Sequence, residues 1–290
     1  GMEHRQGDLA EIRFVCSALS DVDAVIHTAA VAGVWGTWDH FYRNNTLATD
    51  AVISGCRENG IKTLVFTSSP SVTFSGEDQS GVDESEPYPD TWLCHYPHTK
   101  ALAEQSVLKA HDPGAMHTAA LRPHLIRGED DPHILPRLLD RASSGNLAGV
   151  GDGPNQFDTV HVITAAGAHL DALDALIRSP GVAGGRAYFI AQDEPVNCWD
   201  WIRQICEIGS VAAPRRQVSF KTAYRIGSLL EMVYRCTARK SEPPMTRFVA
   251  LQLARDHYFD IAAARERLGY RVRVSMDEGL ETLREAWSAR

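Results

Sequence analysis

In the stretch CHYPHTKALAEQ, residues 94–105, a tyrosine stands four positions ahead of a lysine. On a helix that spacing places Tyr96 and Lys100 one above the other on the same face. A free phenol titrates near 10, so about one part in a thousand is phenolate at neutral pH. A neighbouring ammonium favours the charged form and typically lowers such a pKa by about 1–3 pH units. The phenol then becomes a usable proton donor and acceptor near neutrality. Pro97 fits a helix start, because the first turn has no N–H to lose. Taken alone, a YxxxK spacing is frequent by chance.

A second group of hydroxyls closes the apolar stretch in VFTSSPSV, residues 65–72. If that stretch is a strand of a doubly wound sheet, ligands bind at its carboxyl end, and Ser69 or Ser68 faces the same crevice as Tyr96. A strand-end serine serves equally well to satisfy local backbone groups.

The elements that must position these residues alternate in type. DAVIHTAA (23–30) and IKTLVFTSS (61–69) read as strands buried on both faces, and HTAALRP (117–123) as another. Helical patterns occupy 44–60, closed by Gly60, and about 96–110, closed by HDPG. Strands separated by such helices predict an α/β, doubly wound parallel sheet. Beyond about 128 the pattern loosens, with helices at 164–179 and 198–206 and a strand at 186–191. The expected division is a dinucleotide-binding domain over 1–165 and a smaller, interleaved substrate-binding lobe over 166–290. The glycines of GVGDGP (149–154) suggest a phosphate loop, but Pro154 stands where a glycine is needed and no helix opens behind it, so a turn is expected.

Composition narrows the function. Of 290 residues, 44% are hydrophobic, as in an ordinary globular protein, and the net charge of -8 argues against a nucleic-acid partner. The 12 histidines form no metal-ligand spacing, and His124, His133 and His161 read as structural. The 6 cysteines show no paired spacing, which points to buried thiols in a reducing, cytoplasmic setting. KTAYRIGSLLEMVYRCTARK (221–240) sets apolar residues between cations; it reads as a core or lid helix, with peripheral membrane docking as the alternative.

The ordered stretches GDL (7–9), VIHTAAVAGVWG (25–36), TSSPSV (67–72), YPHTKALAEQ (96–105), LRPHLIRG (121–128), GDGPNQFDTVHV (151–162) and 243–270 resemble the 3β-hydroxysteroid dehydrogenase-like group. That group lies in the extended branch of the short-chain dehydrogenase/reductase superfamily. The resemblance implies a Rossmann-like fold and NAD or NADP as cofactor. It implies Ser69 holding the substrate oxygen, Tyr96 transferring the proton, and Lys100 lowering the tyrosine pKa while gripping the nicotinamide ribose. It further implies Asp8 and Leu9 near the adenine, His27, Ala29 and Ala30 lining the cofactor, Arg122 and Pro123 beside the nicotinamide, and a homodimer. Ile163 departs from the acidic residue that relatives often carry there.

The family's glycine-rich GxxGxxG turn, whose following helix binds pyrophosphate, occurs nowhere in the sequence. By the resemblance, the first two strand–helix units, about 60 residues, are missing before the stretch that matches the third strand. Residues 2–7 are therefore expected to be displaced or to pair directly with 24–27, and the chain to bind NAD(P) poorly. Gly1-Met2 reads either as a tag remnant before an initiator methionine or as part of an internal stretch.

Three functions follow. The first is an NAD(P)-dependent oxidoreductase interconverting a secondary alcohol and a ketone on an apolar substrate, a 3β-hydroxysteroid or a long-chain 3-oxo acid. The alternatives are a nucleotide-sugar epimerase or dehydratase on the same fold, and a truncated, non-catalytic remnant.

Overall fold

The computed structural model describes residues 3–145 and 147–288. Four parallel strands form the central sheet, in the order Val25–His27, Thr63–Thr67, His117–Pro123 and Arg186–Ile190. Their register sets His27 beside Phe66, Thr67 beside Leu121 and Pro123 beside Ile190, so the carboxyl ends share one rim. Alternate strand residues enter opposite layers. Leu64 and Phe66 pack with Val52, Ile53, Ala103 and Val107. Val65 packs with Ala165, Ala168, Ala172 and Leu176. Helices Ala48–Glu58 and His95–Lys109 therefore cover one face, and Val162–Arg178 the other, which is the doubly wound layering expected.

At the amino end, residues 3–7 form no strand, and residue 2 lies outside the described residues. The Arg5 guanidinium donates to the Ser17 and Ala18 carbonyls at 3.3 and 2.9 Å, against the end of helix Ile12–Ala18. Of the two expected placements, the displaced one is found. Among the described residues, Val25–His27 pairs only with Thr63–Thr67 and forms an edge.

A boundary at 165 needs correction, since it falls inside helix Val162–Arg178. That helix is the crossover a parallel strand requires, and it delivers Arg186–Ile190 to the same sheet. The sheet layer thus continues to 190.

The smaller lobe packs Leu135, Leu139, Trp199, Trp201, Ile202 and Ile205 into its own core. A second sheet of four short strands, Val196–Asn197, Gln156–Phe157, His257–Phe259 and Gln79–Val82, ties this lobe back to the first. GVGDGP is a turn, with Gly151 and Gly153 at φ 79° and 87°. Helix Phe220–Cys236 buries only a narrow stripe, Ala223, Gly227 and Glu231, and leaves Ile226, Leu229, Met232 and Val233 exposed, so the core-helix reading does not hold. All six cysteines are free, but only Cys56, Cys198 and Cys206 are buried.

Candidate active site

The site grows from the carboxyl end of strand Thr63–Thr67. There Ser69 adopts an extended backbone (φ -157°, ψ 144°) and caps the short 3-10 helix Pro70–Thr73, its Oγ accepting from the Ser71 N–H at 3.3 Å. The Ser69 and Ser71 hydroxyls are 2.8 Å apart. Burial pushes the Tyr96 phenol up, and the Ser69 hydroxyl draws it down by less. The phenol stays above its ordinary value and is protonated at neutral pH.

Lys100 follows one turn along helix His95–Lys109 and is buried, with Nζ donating to the Thr67 carbonyl at 2.6 Å and lying 4.0 Å from the Phe66 ring centre. Burial lowers its pKa to about 7, against the opposing pull of Glu104. The expected lowering of Tyr96 by Lys100 is therefore corrected. An amine that loses its proton near neutrality cannot hold a steady positive charge beside a phenol that titrates higher. Ser69, rather than Lys100, is the group that favours the phenolate here.

His27 ends the edge strand on the far side of Phe66, ring centres 5.6 Å apart. Its Nε2 lies 3.0 Å from the Thr49 hydroxyl, whose own proton goes to the Asn45 carbonyl at 2.6 Å. His27 is thus the donor to Thr49 and neutral, its pKa driven to about 3 by burial and by Lys100. Ala29 and Ala30 follow it with exposed, small side chains that leave the backbone open.

Two expected cofactor residues are otherwise engaged. Arg122 turns away from the rim into a buried fork with Glu104, Nη2 and Nε donating at 2.7 and 3.1 Å, while the Tyr88 hydroxyl donates to the same carboxylate at 2.7 Å. The Arg122 side chain is thereby committed to the tyrosine helix. Asp8 and Leu9 sit in the turn before helix Ile12–Ala18, where Asp8 pairs with Arg43 at 2.7 Å on the half-exposed surface; that hydrogen bond holds its carboxyl below the usual range.

Several positioning residues carry no motif. The helix expected over 44–60 begins earlier, as Trp38–Phe41, and passes through a π-helical turn, Tyr42–Leu47, before Ala48–Glu58. That turn brings Asn45 to the Val31 backbone (2.8 and 3.1 Å) and to Thr99 Oγ1 (3.1 Å), and Thr46 Oγ1 to the Thr99 carbonyl (2.9 Å). The loop after the edge strand and the tyrosine helix are thereby fixed to one another. Glu104, four residues past Lys100, was legible as a helix-face neighbour; its pairing with Arg122 was not. His257 Nε2 donates to the Gln252 carbonyl at 2.8 Å, so its Nδ1 accepts from His124 Nε2 at 2.7 Å; His161 caps helix Val162–Arg178. Ile163 is exposed on that helix.

A nicotinamide–ribose fits what is present. Lys100 has three donors and spends one, the buried Ser68 Oγ has no partner, and the backbone at Ala29 and Ala30 is open. No comparable cradle for the pyrophosphate exists in the sequence, which has no glycine-rich turn.

A model of the 3-beta hydroxysteroid dehydrogenase/isomerase family matches residues 2–220. The chain belongs to that family. It is 43% identical, over 100% of its length and 88% of the relative's, to a 2-alkyl-3-oxoalkanoate reductase of Stenotrophomonas maltophilia. A sterol-4-alpha-carboxylate 3-dehydrogenase (decarboxylating) of Mus musculus is 33% identical over 95% of this chain and 77% of its own. Among solved structures, MoeE5 in complex with UDP-glucuronic acid and NAD superposes with a TM-score of 0.71 at 23% identity, covering 98% of this chain and 85% of that one; this likeness is one of fold. The expected family and the Rossmann-like sheet are both borne out, and the chain is of the dehydrogenase/reductase class.

Proposed function

We propose that the chain is an NAD(P)-dependent oxidoreductase that reduces the 3-ketone of an apolar 3-oxo acid to a secondary alcohol, and that Ser69, Tyr96 and Lys100 carry the reaction. The observation that supports this most directly is Lys100, one helical turn after Tyr96, donating to the Thr67 carbonyl at 2.6 Å, two residues before Ser69, whose hydroxyl draws on the Tyr96 phenol. The two relatives named above share a chemical pattern in their names: a carboxylate placed β to the oxygen-bearing carbon. The bound NAD or NADP, when present, supplies the hydride.

The protein's own residues handle the oxygen. Ser69 steadies the carbonyl oxygen by a hydrogen bond. Tyr96, protonated at rest, gives its phenolic proton to that oxygen as the carbinol forms. Lys100, while protonated, would hold the ribose hydroxyls with its free donors, and the Ser69 hydroxyl favours the phenolate that remains. Asn45, Thr46 and Glu104 position the helix that carries both.

Tyr96→Phe tests the assignment with a 2-alkyl-3-oxoalkanoate and millimolar NADH or NADPH. Turnover should fall at least about 100-fold. Undiminished turnover removes Tyr96 from the mechanism.

The exposed face of helix Phe220–Cys236 supports a second, peripheral role for a cytoplasmic protein. Ile226, Leu229, Met232 and Val233 are 41–56% exposed, and the 221–240 segment carries Arg225, Arg235, Arg239 and Lys240. Such a face suits an anionic lipid surface. The chain should co-sediment with phosphatidylglycerol vesicles but not with phosphatidylcholine ones, and Leu229→Asp should abolish this. Equal recovery from both vesicles refutes the role.

A further inference from the structure

A cavity of about 1020 Å³ opens between the loop after the edge strand and the smaller lobe. Its wall includes Cys94 and His95, the cap and first residue of the helix that carries Tyr96. Trp35, Trp92, Leu93 and Phe248 give it an apolar lining. Its charges are unequal. Arg247 is neutralised by Glu231, at 2.8 Å, but Arg235, Arg239 and Lys240 form no ion pair among the described residues. Three uncompensated cations around one greasy cavity, in a chain of net charge -8, focus attraction on an amphiphilic anion.

We infer that Arg235 is the specificity-determining residue that takes the substrate's carboxylate. This rests on the proposed reduction of a 3-oxo acid. In such an acid the carboxylate carbon is two bonds from the reacting carbon, so its partner must lie near the start of the tyrosine helix. Arg235 lines the cavity together with Cys94 and His95, at that start. Its guanidinium lies 5.8 Å from the Trp35 ring centre, an aromatic face that orients the planar fork without neutralising it. Arg239 is turned instead over Tyr234, at 5.3 Å, and its carbonyl accepts from Trp35 Nε1 at 3.2 Å. Two parallel N–H donors match a carboxylate and have no match in an ester.

Tryptophan fluorescence, read on the protein without cofactor, tests this with decanoate, methyl decanoate and UDP-glucose. Decanoate should quench saturably and bind about tenfold or more tighter than the ester. Arg235→Gln should remove that preference and its salt dependence, leave ester binding unchanged, and leave the thermal midpoint unchanged because the side chain is exposed. Arg239→Gln should keep the preference. Equal affinity for acid and ester, or an acid preference that survives Arg235→Gln, overturns the inference. Arg235-dependent binding of UDP-glucose with none of decanoate overturns it too, by making the recognised anion a phosphate. Those outcomes are separate from failure of the redox reading, which shows as undiminished turnover in Tyr96→Phe or as no reduction of any 3-oxo acid.

Discussion

Glu104 and Arg122 join the tyrosine helix to the strand beside it through a two-pronged ion pair, 0% and 3% exposed at their side chains. The pair sets the distance between Tyr96 and the rim of the sheet, and Tyr88 completes the carboxylate's coordination at 2.7 Å. Removing one charge leaves the other buried without compensation. Glu104→Gln is expected to cost about 3–5 kcal/mol in urea denaturation. Tyr88→Phe, which removes one hydrogen bond and no charge, should cost about 1–3 kcal/mol. Equal effects would mean that the charge is not what holds the helix.

Lys100 makes stability and activity pull apart. Its folded pKa, about 7, lies below the ordinary 10.5, so the unfolded chain binds more protons between those values. Its burial cost is thus full below pH 7 and relieved as pH rises toward 10.5. Lys100→Met should therefore be more stable than the parent at pH 7, with the difference shrinking toward pH 10. Reduction should behave oppositely. The parent's kcat/KM should fall as pH rises through about 7 and the ammonium is lost, whereas Lys100→Met should be slow and flat across that range. A parent profile with the same descending limb as the variant would assign that limb elsewhere.

Gly227 is where helix Phe220–Cys236 crosses the start of helix Arg247–Gln252. A Cβ there would stand 2.6 Å from the Thr246 carbonyl carbon and 2.8 Å from the Arg247 nitrogen, both backbone atoms that cannot swing aside. Both helices contribute to the cavity, through Arg235 on one and Phe248 on the other. Gly227→Ala should push them apart, raising the dissociation constant of decanoate at least about tenfold while leaving the central sheet intact by circular dichroism. Unchanged ligand binding would show that this crossing does not shape the cavity.

The sheet was legible because Leu64–Phe66 and Ala119–Leu121 are unbroken apolar runs, the mark of strands covered on both faces. Ser69, Tyr96 and Lys100 were legible from their spacing and from their place after those runs. What the pattern could not reveal lies in side-chain geometry across long sequence separations. Arg122 resembled a cofactor residue until Glu104 was found facing it, and the charge of Lys100 depended on a depth of burial that one helix pattern does not report. The lobe helix misled for a related reason: its apolar residues outnumber the face its neighbours cover, so Ile226 and Leu229 stay in solvent. The cut at 165 failed because chain order and spatial layers diverge wherever a crossover helix returns to the sheet.

Acid should weaken this protein in a defined window. His27, His124, His169 and His257 are all held neutral by burial, their pKa values below 6.5, that of His27 at about 3. Below pH 6.5 the unfolded chain takes up protons that the folded one refuses, so this contribution is complete above 6.5 and is lost as pH falls. Each histidine adds a slope of about 1.4 kcal/mol per pH unit until its folded pKa is reached. Asp158 works the other way: burial raises it to about 7, so its neutral form is favoured in the fold and its cost appears as pH climbs from 3.8 to 7. Four histidines outweigh one carboxyl, and the thermal midpoint should fall steadily between pH 6.5 and 5. Asp158→Asn isolates the opposing term. Its Oδ1 can still accept from the Phe259 N–H, which Asp158 Oδ2 now does at 2.8 Å. The variant's margin over the parent should be larger at pH 8 than at pH 5; a constant difference at both would mean that Asp158 does not titrate in this window.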